Sequence, residues 1–380
     1  MRLTEGEDEQ FKATGSAIFI AGVCWIFCFA NLRKEDIMSK IFLYFLVGLA
    51  FALGALNPAL GEEFYKGKRI RIIVGSTPGG GFDTYARLIA RHLGKYIPGH
   101  PSVLVQNMPG GGMLIAANYM YNRAKPDGLT IGHWTGALTL QHVMGNKAAK
   151  IDGRKIGWLG APVPDNGTCV FTRASGIRSA DDWFSSRKTV NMGGSGPGSS
   201  LSDTPRLIKS AINPPMKLTE GYGGTANVRL AMERGEMDGL CGWGWSSVKG
   251  TAYDKIKSGE LKVVLQATLK RHPELKDVPL AIEYAKDDRS RKLLEVAGYI
   301  HGLLERVYSV PPGLPKERLR LLQKAFIATL NDPVLLKEAK KAKLEISPVD
   351  GATTAEAVNS LYSLNPELVA ELKQILVRQK

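Results

Sequence analysis

Residues 69–83 read RIRIIVGSTPGGGFD, an apolar run that ends in a cluster of glycines. The run RIRIIVG has the length and β-branched content of a buried strand, and residues 84–93 place apolar side chains at helical spacing. A glycine turn between a strand and a helix exposes N–H groups at the positive end of the helix dipole. This segment therefore predicts an α/β layer whose first turn can bind an anion.

The first turn excludes two familiar cofactors. It lacks the Gly-Lys-Ser/Thr ending of a nucleotide P-loop and the glycine spacing of a dinucleotide-binding turn, so we predict no nucleotide cofactor. Asp83 stands just before the helix, where it either caps the helix N-terminus or contacts a ligand directly. The sequence leaves both roles open.

A second glycine turn follows roughly 30 residues later, at residues 107–112 (NMPGGG), between predicted strand 103–106 and predicted helix 114–124. Ligands of open α/β sheets lie outside the carboxyl ends of the strands. Two glycine turns at matching strand ends predict an anion site that is built mainly from main-chain N–H groups.

Further turns of this kind lie at residues 193–200 (GGSGPGSS) and 221–225 (GYGGT), and aromatic residues accompany glycine at 133–136 and 242–246. The aromatic residues either pack in the core or form walls of the ligand site. The candidate ligand-binding residues are Ser76, Thr77, Pro78, Gly79, Gly80, Gly81, Asp83, Gly110, Gly111, Gly112, His133, Trp134, Ser195, Gly196, Gly198, Ser199, Tyr222, Gly223, Gly224, Thr225, Trp243 and Trp245.

No set of catalytic residues emerges from the sequence. A nucleophile elbow would require glycine where Pro197 stands, and residues 246–249 match Ser-x-x-Lys without the partner motifs of acylating enzymes. The six histidines lack the spacing of metal ligands. We predict no catalytic residue, no metal and no cofactor, and a periplasmic hydrolase is the least favoured function.

The N-terminal segment predicts export. Residues 38–40 give a short basic start, residues 41–56 an apolar stretch, and residues 59–61 the small side chains of a cleavage site. We interpret residues 38–61 as a signal peptide and residues 1–37 as a mis-called upstream extension, which predicts a periplasmic protein. An uncleaved membrane anchor is the alternative.

The predicted mature chain has 45 basic and 30 acidic side chains, and Cys169 and Cys241 are its two cysteines. The basic residues are dispersed and no nucleic-acid-binding motif accompanies them, so the charge favours an anionic small molecule over nucleic acid. In an oxidising compartment the two cysteines form either a disulfide or two separate buried thiols.

From about Lys68 to the C-terminus, the chain resembles the Bug family, the periplasmic receptors of tripartite tricarboxylate transporters. Ordered motifs carry the resemblance: PGGGFDTYAR at 78–87, NMPGGG at 107–112, KPDG at 125–128, SGPGS at 195–199, GYGGTA at 221–226 and DVP at 277–279. The resemblance implies a two-lobed α/β fold of the periplasmic-binding-protein type (Venus flytrap, type II) with a central cleft. It also implies a hinge crossed twice and a ligand carboxylate held by the first two glycine turns.

From these features we expect the first lobe at residues 62–164 and 273–380, and the second lobe at 165–272. The expected function is capture of a small organic carboxylate by a monomeric receptor, for the membrane subunits of a tripartite transporter. Met108, Gly111 and Gly224 depart from the family's usual residues, and the Trp243/Trp245 pair is not a general family feature. Aromatic rings without a lysine or arginine in the same turns favour an aromatic or hydrophobic carboxylate over citrate. A ligand-sensing receptor for a membrane signalling partner is the alternative.

Overall fold

The computed structural model describes residues 64–377, without the side chains of residues 299–301. The predicted signal peptide, the upstream extension and the proposed cleavage site lie outside the described residues. Between residues 64 and 377, no helix combines the length and the apolar character that crossing a membrane requires.

Eleven strands form in the described part of the chain. They are β1 Arg69–Val74, β2 Ser102–Asn107, β3 Thr130–Trp134, β4 Gly157–Ala161, β5 Gly167–Thr172, β6 Val190–Gly193, β7 Met216–Thr219, β8 Gly239–Gly244, β9 Leu261–Ala267, β10 Val307–Val310 and β11 Val349–Asp350. Six form a first sheet in the order β11-β4-β10-β3-β1-β2, and five form a second in the order β7-β6-β8-β5-β9.

Twelve α-helices cover these sheets within the same part of the chain. They are α1 Gly81–Leu93, α2 Leu114–Asn122, α3 Leu138–Val143, α4 Ala180–Ser185, α5 Ser200–Ile212, α6 Thr225–Glu233, α7 Trp245–Lys257, α8 Asp288–His301, α9 Lys316–Leu330, α10 Pro333–Lys341, α11 Gly351–Leu361 and α12 Pro366–Leu376. Local sequence explains several helix starts. Pro333 and Pro366 open α10 and α12, and Asp332 and Asn365 before them accept hydrogen bonds from the first turn.

The first lobe is built on a mixed sheet. Strand β1 pairs in parallel with β2 and β3, and β10 is inserted antiparallel between β3 and β4. Ile70, Ile72 and Val74 of β1 are fully buried, as the apolar run predicted. The three parallel strands end at the same edge of the sheet, which is where the first two glycine turns lie.

The second lobe is also built on a mixed sheet. Strand β6 pairs in parallel with β7 and β8, whereas β5 runs antiparallel to both β8 and β9. The antiparallel pairing of β5 with β8 brings Cys169 and Cys241 together, with their Cα atoms 4.0 Å apart and their Sγ atoms bonded. Of the two states that the sequence left open, the structure has the disulfide, buried in the core of this lobe.

The chain passes between the two sheets at residues 162–166 and again at residues 302–306. We expected residues 273–301 in the first lobe, but they lie against the second sheet. Gln266 of β9 donates from its N–H to the carbonyl of Pro279, and Leu294 of α8 packs in the same core as the disulfide. Amphipathic helices cover both lobes, so nothing in the helical pattern of 288–301 indicates which sheet it faces.

Candidate functional site

A small closed cavity lies between the two lobes, where four helices begin. The N-termini of α1 from the first lobe and of α5, α6 and α7 from the second lobe converge on it. Its space for water is about 10 Å³, enough for roughly one molecule. The lining residues are Ser76, Gly81, Phe82, Met113, Ser200, Leu201, Gly224, Thr225, Gly242, Trp243, Gly244, Ser247, Glu305 and Arg306.

Arg306 supplies the positive charge of this cavity. It is 2% exposed, and its Nε donates to Asp165 Oδ2 at 2.7 Å while its Nη2 donates to Ser247 Oγ at 2.5 Å. The remaining nitrogen, Nη1, has no hydrogen-bond partner although it is buried. A buried cationic N–H without a partner is costly, so this atom is a candidate contact for an anion.

The guanidinium of Arg306 is held rigidly in place. Its Cζ lies 5.2 Å from the Phe82 ring centroid and 4.9 Å from that of Tyr85, both on α1. Asp165 fixes it from the first crossing segment, and the buried Asp165 carboxylate also accepts from Ser246 Oγ at 2.8 Å. Because both crossing segments meet in this ion pair, the charge sits at the hinge between the lobes.

Glu305 is the second ionisable residue of the cavity. Its Oε1 accepts from Ser200 Oγ at 2.9 Å, and its buried Oε2 has no partner. Burial raises the pKa of Glu305 to about 8, with a further contribution from the charge of Asp165, while Arg306 opposes the shift. The side chain is therefore mostly protonated at neutral pH and can donate a hydrogen bond from its free oxygen.

Two more buried polar atoms of the lining lack partners. They are Ser76 Oγ at the start of the first turn and Trp243 Nε1 at the end of β8. Together with Arg306 Nη1 and Glu305 Oε2, they give four unsatisfied polar atoms around one small space. Native structures leave few such atoms, and their concentration makes this space the candidate site for a polar ligand or an ordered water.

Gly81 shows how closely the two lobes meet at this site. A side-chain carbon at this first residue of α1 would overlap Ser247 Oγ of the second lobe and lie 3.1 Å from Arg306 Nη1. Glycine is therefore required at this position for close approach rather than for a special backbone angle.

Asp83 is not the N-cap residue that one of the two sequence-based alternatives predicted. Gly80 occupies the N-cap position of α1, and Asp83 lies in the first turn and reaches back to accept from the N–H of Gly79 at 3.0 Å. It also accepts from Asn107 Nδ2 at 3.0 Å and Arg87 Nε at 2.9 Å. Burial opposes the shift, but these hydrogen bonds hold the pKa of Asp83 below its usual value. Asp83 thus ties the first two glycine turns together.

The remaining turns hold the lobes against each other. Thr77 of the first lobe donates from its N–H to Gly223 O at 3.2 Å and from its hydroxyl to Asn227 Oδ1 at 2.7 Å. Gly112 lies so close to Gly196 that a side-chain carbon on it would be 2.7 Å from the Gly196 carbonyl oxygen. The structure is therefore a closed state of the two lobes.

Asp203 adds a buried carboxyl at the lobe boundary. It accepts from the N–H of Gly198 at 2.9 and 3.0 Å, and Gln141 of the first lobe donates to it at 3.4 Å. Complete burial raises the pKa of Asp203 to about 7, against the lowering effect of the Gly198 hydrogen bonds.

The aromatic candidates separate into different environments. Trp243 lines the cavity, whereas Trp134 donates to Ser309 Oγ in the first-lobe core and Trp245 donates to Glu274 Oε2 at 2.8 Å. His133 is fully buried against Tyr308, and burial lowers its pKa to about 3. Tyr222 packs beside the Trp243 cluster without lining the cavity.

Among the candidates, those that line the cavity are Ser76, Gly81, Gly224, Thr225 and Trp243. The turns that contain Thr77, Gly112, Gly196 and Gly223 form the surrounding contact between the lobes. Arg306, Glu305 and Asp165 were not identified from the sequence, because they lie outside the glycine turns. The one available signal was an adjacent Glu-Arg pair directly before the apolar run of β10.

His272, Glu274 and Glu345 form the cluster of potential metal ligands found among the described residues. The ammonium of Lys249 lies among them, 2.7 Å from Glu274 and in contact with Glu345, and His272 Nε2 is 3.2 Å from Glu345. Lys249 forms ion pairs with both carboxylates, so the cluster is an ion-pair network between the lobes.

Comparisons with known proteins agree with the two-lobed fold. No family model matches the chain. The UPF0065 protein in the TAR-I ttuE-ttuC' intergenic region of Agrobacterium vitis is 28% identical over 359 residues, which cover 92% of this chain and 96% of that protein. The periplasmic binding protein BugD has a TM-score of 0.67 at 20% identity, over 82% of this chain and 99% of its own. MatC from Rhodopseudomonas palustris, solved with bound malate, has a TM-score of 0.64 at 18% identity, over 80% and 99%.

These similarities extend over nearly the whole of each protein compared, and they include both lobes. The two-lobed α/β fold predicted from the sequence is therefore confirmed. So is the resemblance that the motifs indicated: the chain has a periplasmic solute-binding fold and is similar to the Bug-type receptors of tripartite tricarboxylate transporters.

Proposed function

We propose that this protein is a periplasmic receptor that binds a small organic carboxylate between its lobes and delivers it to the membrane subunits of a tripartite-type transporter. The observation that carries the proposal is the buried Arg306 Nη1, which has no partner and faces a cavity between two lobes. The likeness to BugD and to malate-bound MatC supports the transport role.

Arg306 and the helix N-termini suit a carboxylate. A charge-assisted hydrogen bond from a guanidinium to a carboxylate is roughly twice as strong as a neutral one. Ser76 Oγ offers a further donor, and the first residues of α1 and α6 present N–H groups at the positive ends of their helices. One carboxylate can engage both lobes at once, which is how a ligand would favour closure.

The remaining walls suit an apolar body. Phe82 and Met113 from the first lobe and Leu201 and Trp243 from the second contribute apolar surface to the same cavity. Contact with the Trp243 ring would contribute about 0.5–1.5 kcal/mol beyond area burial for an aromatic ligand. The proposed ligand is therefore a carboxylate with an aromatic or hydrophobic body.

Binding requires a change in the lobe arrangement. The closed cavity admits about one water, so a ligand of several carbon atoms must enter an open state. The two crossing segments at 162–166 and 302–306 give the chain a hinge, and closure would then form the Thr77–Asn227 hydrogen bond across the cleft.

Isothermal titration calorimetry with phenylacetate, hexanoate, malate and citrate tests the proposal. We expect a carboxylate with an apolar body to bind. Arg306→Gln should lower its affinity at least tenfold. Arg271→Gln, at an exposed ion pair of the second lobe, should leave the affinity unchanged. Circular dichroism checks that both variants fold. Equal affinity of the folded Arg306→Gln variant would remove Arg306 from the site, and tight citrate binding with no binding of the apolar acids would refute the apolar preference.

A further inference from the structure

The ionisable groups of the cavity leave little net positive charge for a ligand. Arg306 is the one lysine or arginine among the described lining residues, and its charge is already paired with Asp165 through Nε and Nη2. Glu305 adds a second protein carboxyl to the same space. The site therefore sets two carboxyl groups against one guanidinium before any ligand enters.

Glu305 reduces this imbalance only in its protonated form. Its free Oε2 is buried at the cavity, and its other oxygen is occupied by Ser200 Oγ. A carboxylic acid in this position presents an O–H to the ligand, whereas an ionised carboxylate would face the ligand with a negative charge. A protonated carboxyl group that donates to an anion is a known use of a buried acidic side chain.

We propose that the cavity accepts carboxylates with a single negative charge, and that Glu305 takes part as an acid that donates its O–H to the bound carboxylate. The inference rests on the proposed function and narrows its ligand class. Arg306 Nη1 and Glu305 Oε2 then hold the same carboxylate group, and the two atoms left unsatisfied in the closed structure acquire partners together.

A second ligand carboxylate would meet repulsion at this site. Two like charges that are close together repel more strongly in a buried site than in water, because the effective dielectric constant is lower there. The helix N-termini offer dipoles and N–H groups, which stabilise one anion without adding a net charge that would offset the second. The net charge of the site also depends on the charged and titratable neighbours of Glu305.

These neighbours come from four elements. Arg306 follows Glu305 in the same segment, Asp165 faces it from the other crossing segment, Ser200 faces it from α5, and Thr135 from the turn after β3. His133 in β3 is kept neutral by burial and adds no positive charge. Deprotonation of Glu305 therefore leaves Arg306 as the single cation against Asp165, Glu305 and the ligand.

Ligands that differ mainly in charge test the proposed preference for a single negative charge. Adipate and monomethyl adipate share one carbon skeleton and differ by one negative charge, and hexanoate serves as the unsubstituted monoanion. Calorimetry at pH 7 should show monomethyl adipate binding at least tenfold more tightly than adipate. Stronger binding of adipate would overturn the inference and leave the proposed function intact, whereas absence of heat and of thermal stabilisation with these three acids and with phenylacetate would contradict both.

Glu305→Gln separates the acid role from simple packing, because glutamine has nearly the same shape and stays neutral. Wild-type affinity for monomethyl adipate should fall about tenfold per pH unit above pH 8, with proton uptake visible as a dependence on buffer ionisation heat. In the folded Glu305→Gln variant, affinity should be flat between pH 7 and 9. The same pH dependence in both proteins would exclude Glu305 as the donor.

Discussion

At the scale of single residues, the Arg306–Asp165 pair has the largest expected energetic effect. Both side chains are buried, and the Asp165 carboxylate is in contact with the guanidinium. Removing one partner of a buried pair leaves the other charge uncompensated. Asp165→Asn should therefore lower the free energy of unfolding by about 3–5 kcal/mol in urea denaturation. Asp254→Asn, at an exposed pair with Lys343, should change the free energy of unfolding by less than about 1 kcal/mol. Comparable small losses of stability in both variants would show that the buried pair is not needed for stability.

At the scale of elements, the start of α1 controls how closely the lobes approach. Gly81→Ala adds a carbon that overlaps Ser247 Oγ, whereas the same change at Gly80 meets its nearest atom, the N of Ala226, at 3.8 Å. We expect Gly81→Ala to fold normally but to bind phenylacetate or hexanoate at least tenfold more weakly, or about 1.4 kcal/mol. Gly80→Ala is the matched control and should bind as the wild type does. Small-angle scattering with ligand present should show incomplete closure for Gly81→Ala. Full closure with unchanged affinity would show that the close approach of Gly81 to Ser247 is not needed for binding.

The sequence also has its clearest predictive power at the scale of elements. The apolar run before Ser76 and the glycine turns were sufficient to locate β1, α1 and the strand ends, because burial and backbone approach impose their own residue types. The sequence could not predict that Arg306 lines the site, because this depends on two crossing segments that bring residues 165 and 306 together although they are 141 positions apart. Trp134 and Trp243 both lie at the ends of strands, and only packing decides that Trp134 is in the core and Trp243 lines the cavity.

At the scale of the whole molecule, buried carboxyls couple stability to pH. Burial raises the folded-state pKa of Asp203 to about 7 and that of Glu305 to about 8, so the native state holds protons that the unfolded chain has lost. This stabilisation is complete below about pH 4 and is lost as pH rises through 7–8. The buried His133, whose pKa is lowered to about 3, is neutral in the native state, whereas an unfolded histidine is about half protonated at pH 6.5. His133 therefore opposes part of this loss near pH 6.5 and adds little slope above about pH 7.5.

We therefore expect the free energy of unfolding to decrease between pH 6.5 and pH 8, as measured by urea denaturation at fixed salt. Asp203→Asn should reduce this slope, because the amide has no proton to lose. Asp182→Asn, at the exposed start of α4, provides a control that should leave the slope unchanged. An increase in stability over the same interval would show that Asp203 and Glu305 are ionised in the native state.

The insertion of β10 between β3 and β4 has a consequence for the order in which the protein can form during synthesis. Strands β1 to β4 leave the ribosome early, yet β4 has no hydrogen-bonded link to β3 until residues 307–310 arrive. All five strands of the second sheet are complete by residue 267. The second lobe can thus complete its sheet first, whereas the sheet of the first lobe stays incomplete until β10 has been synthesised. Nascent chains ending near residue 301 should accordingly protect the second sheet from protease and leave β4 open to cleavage.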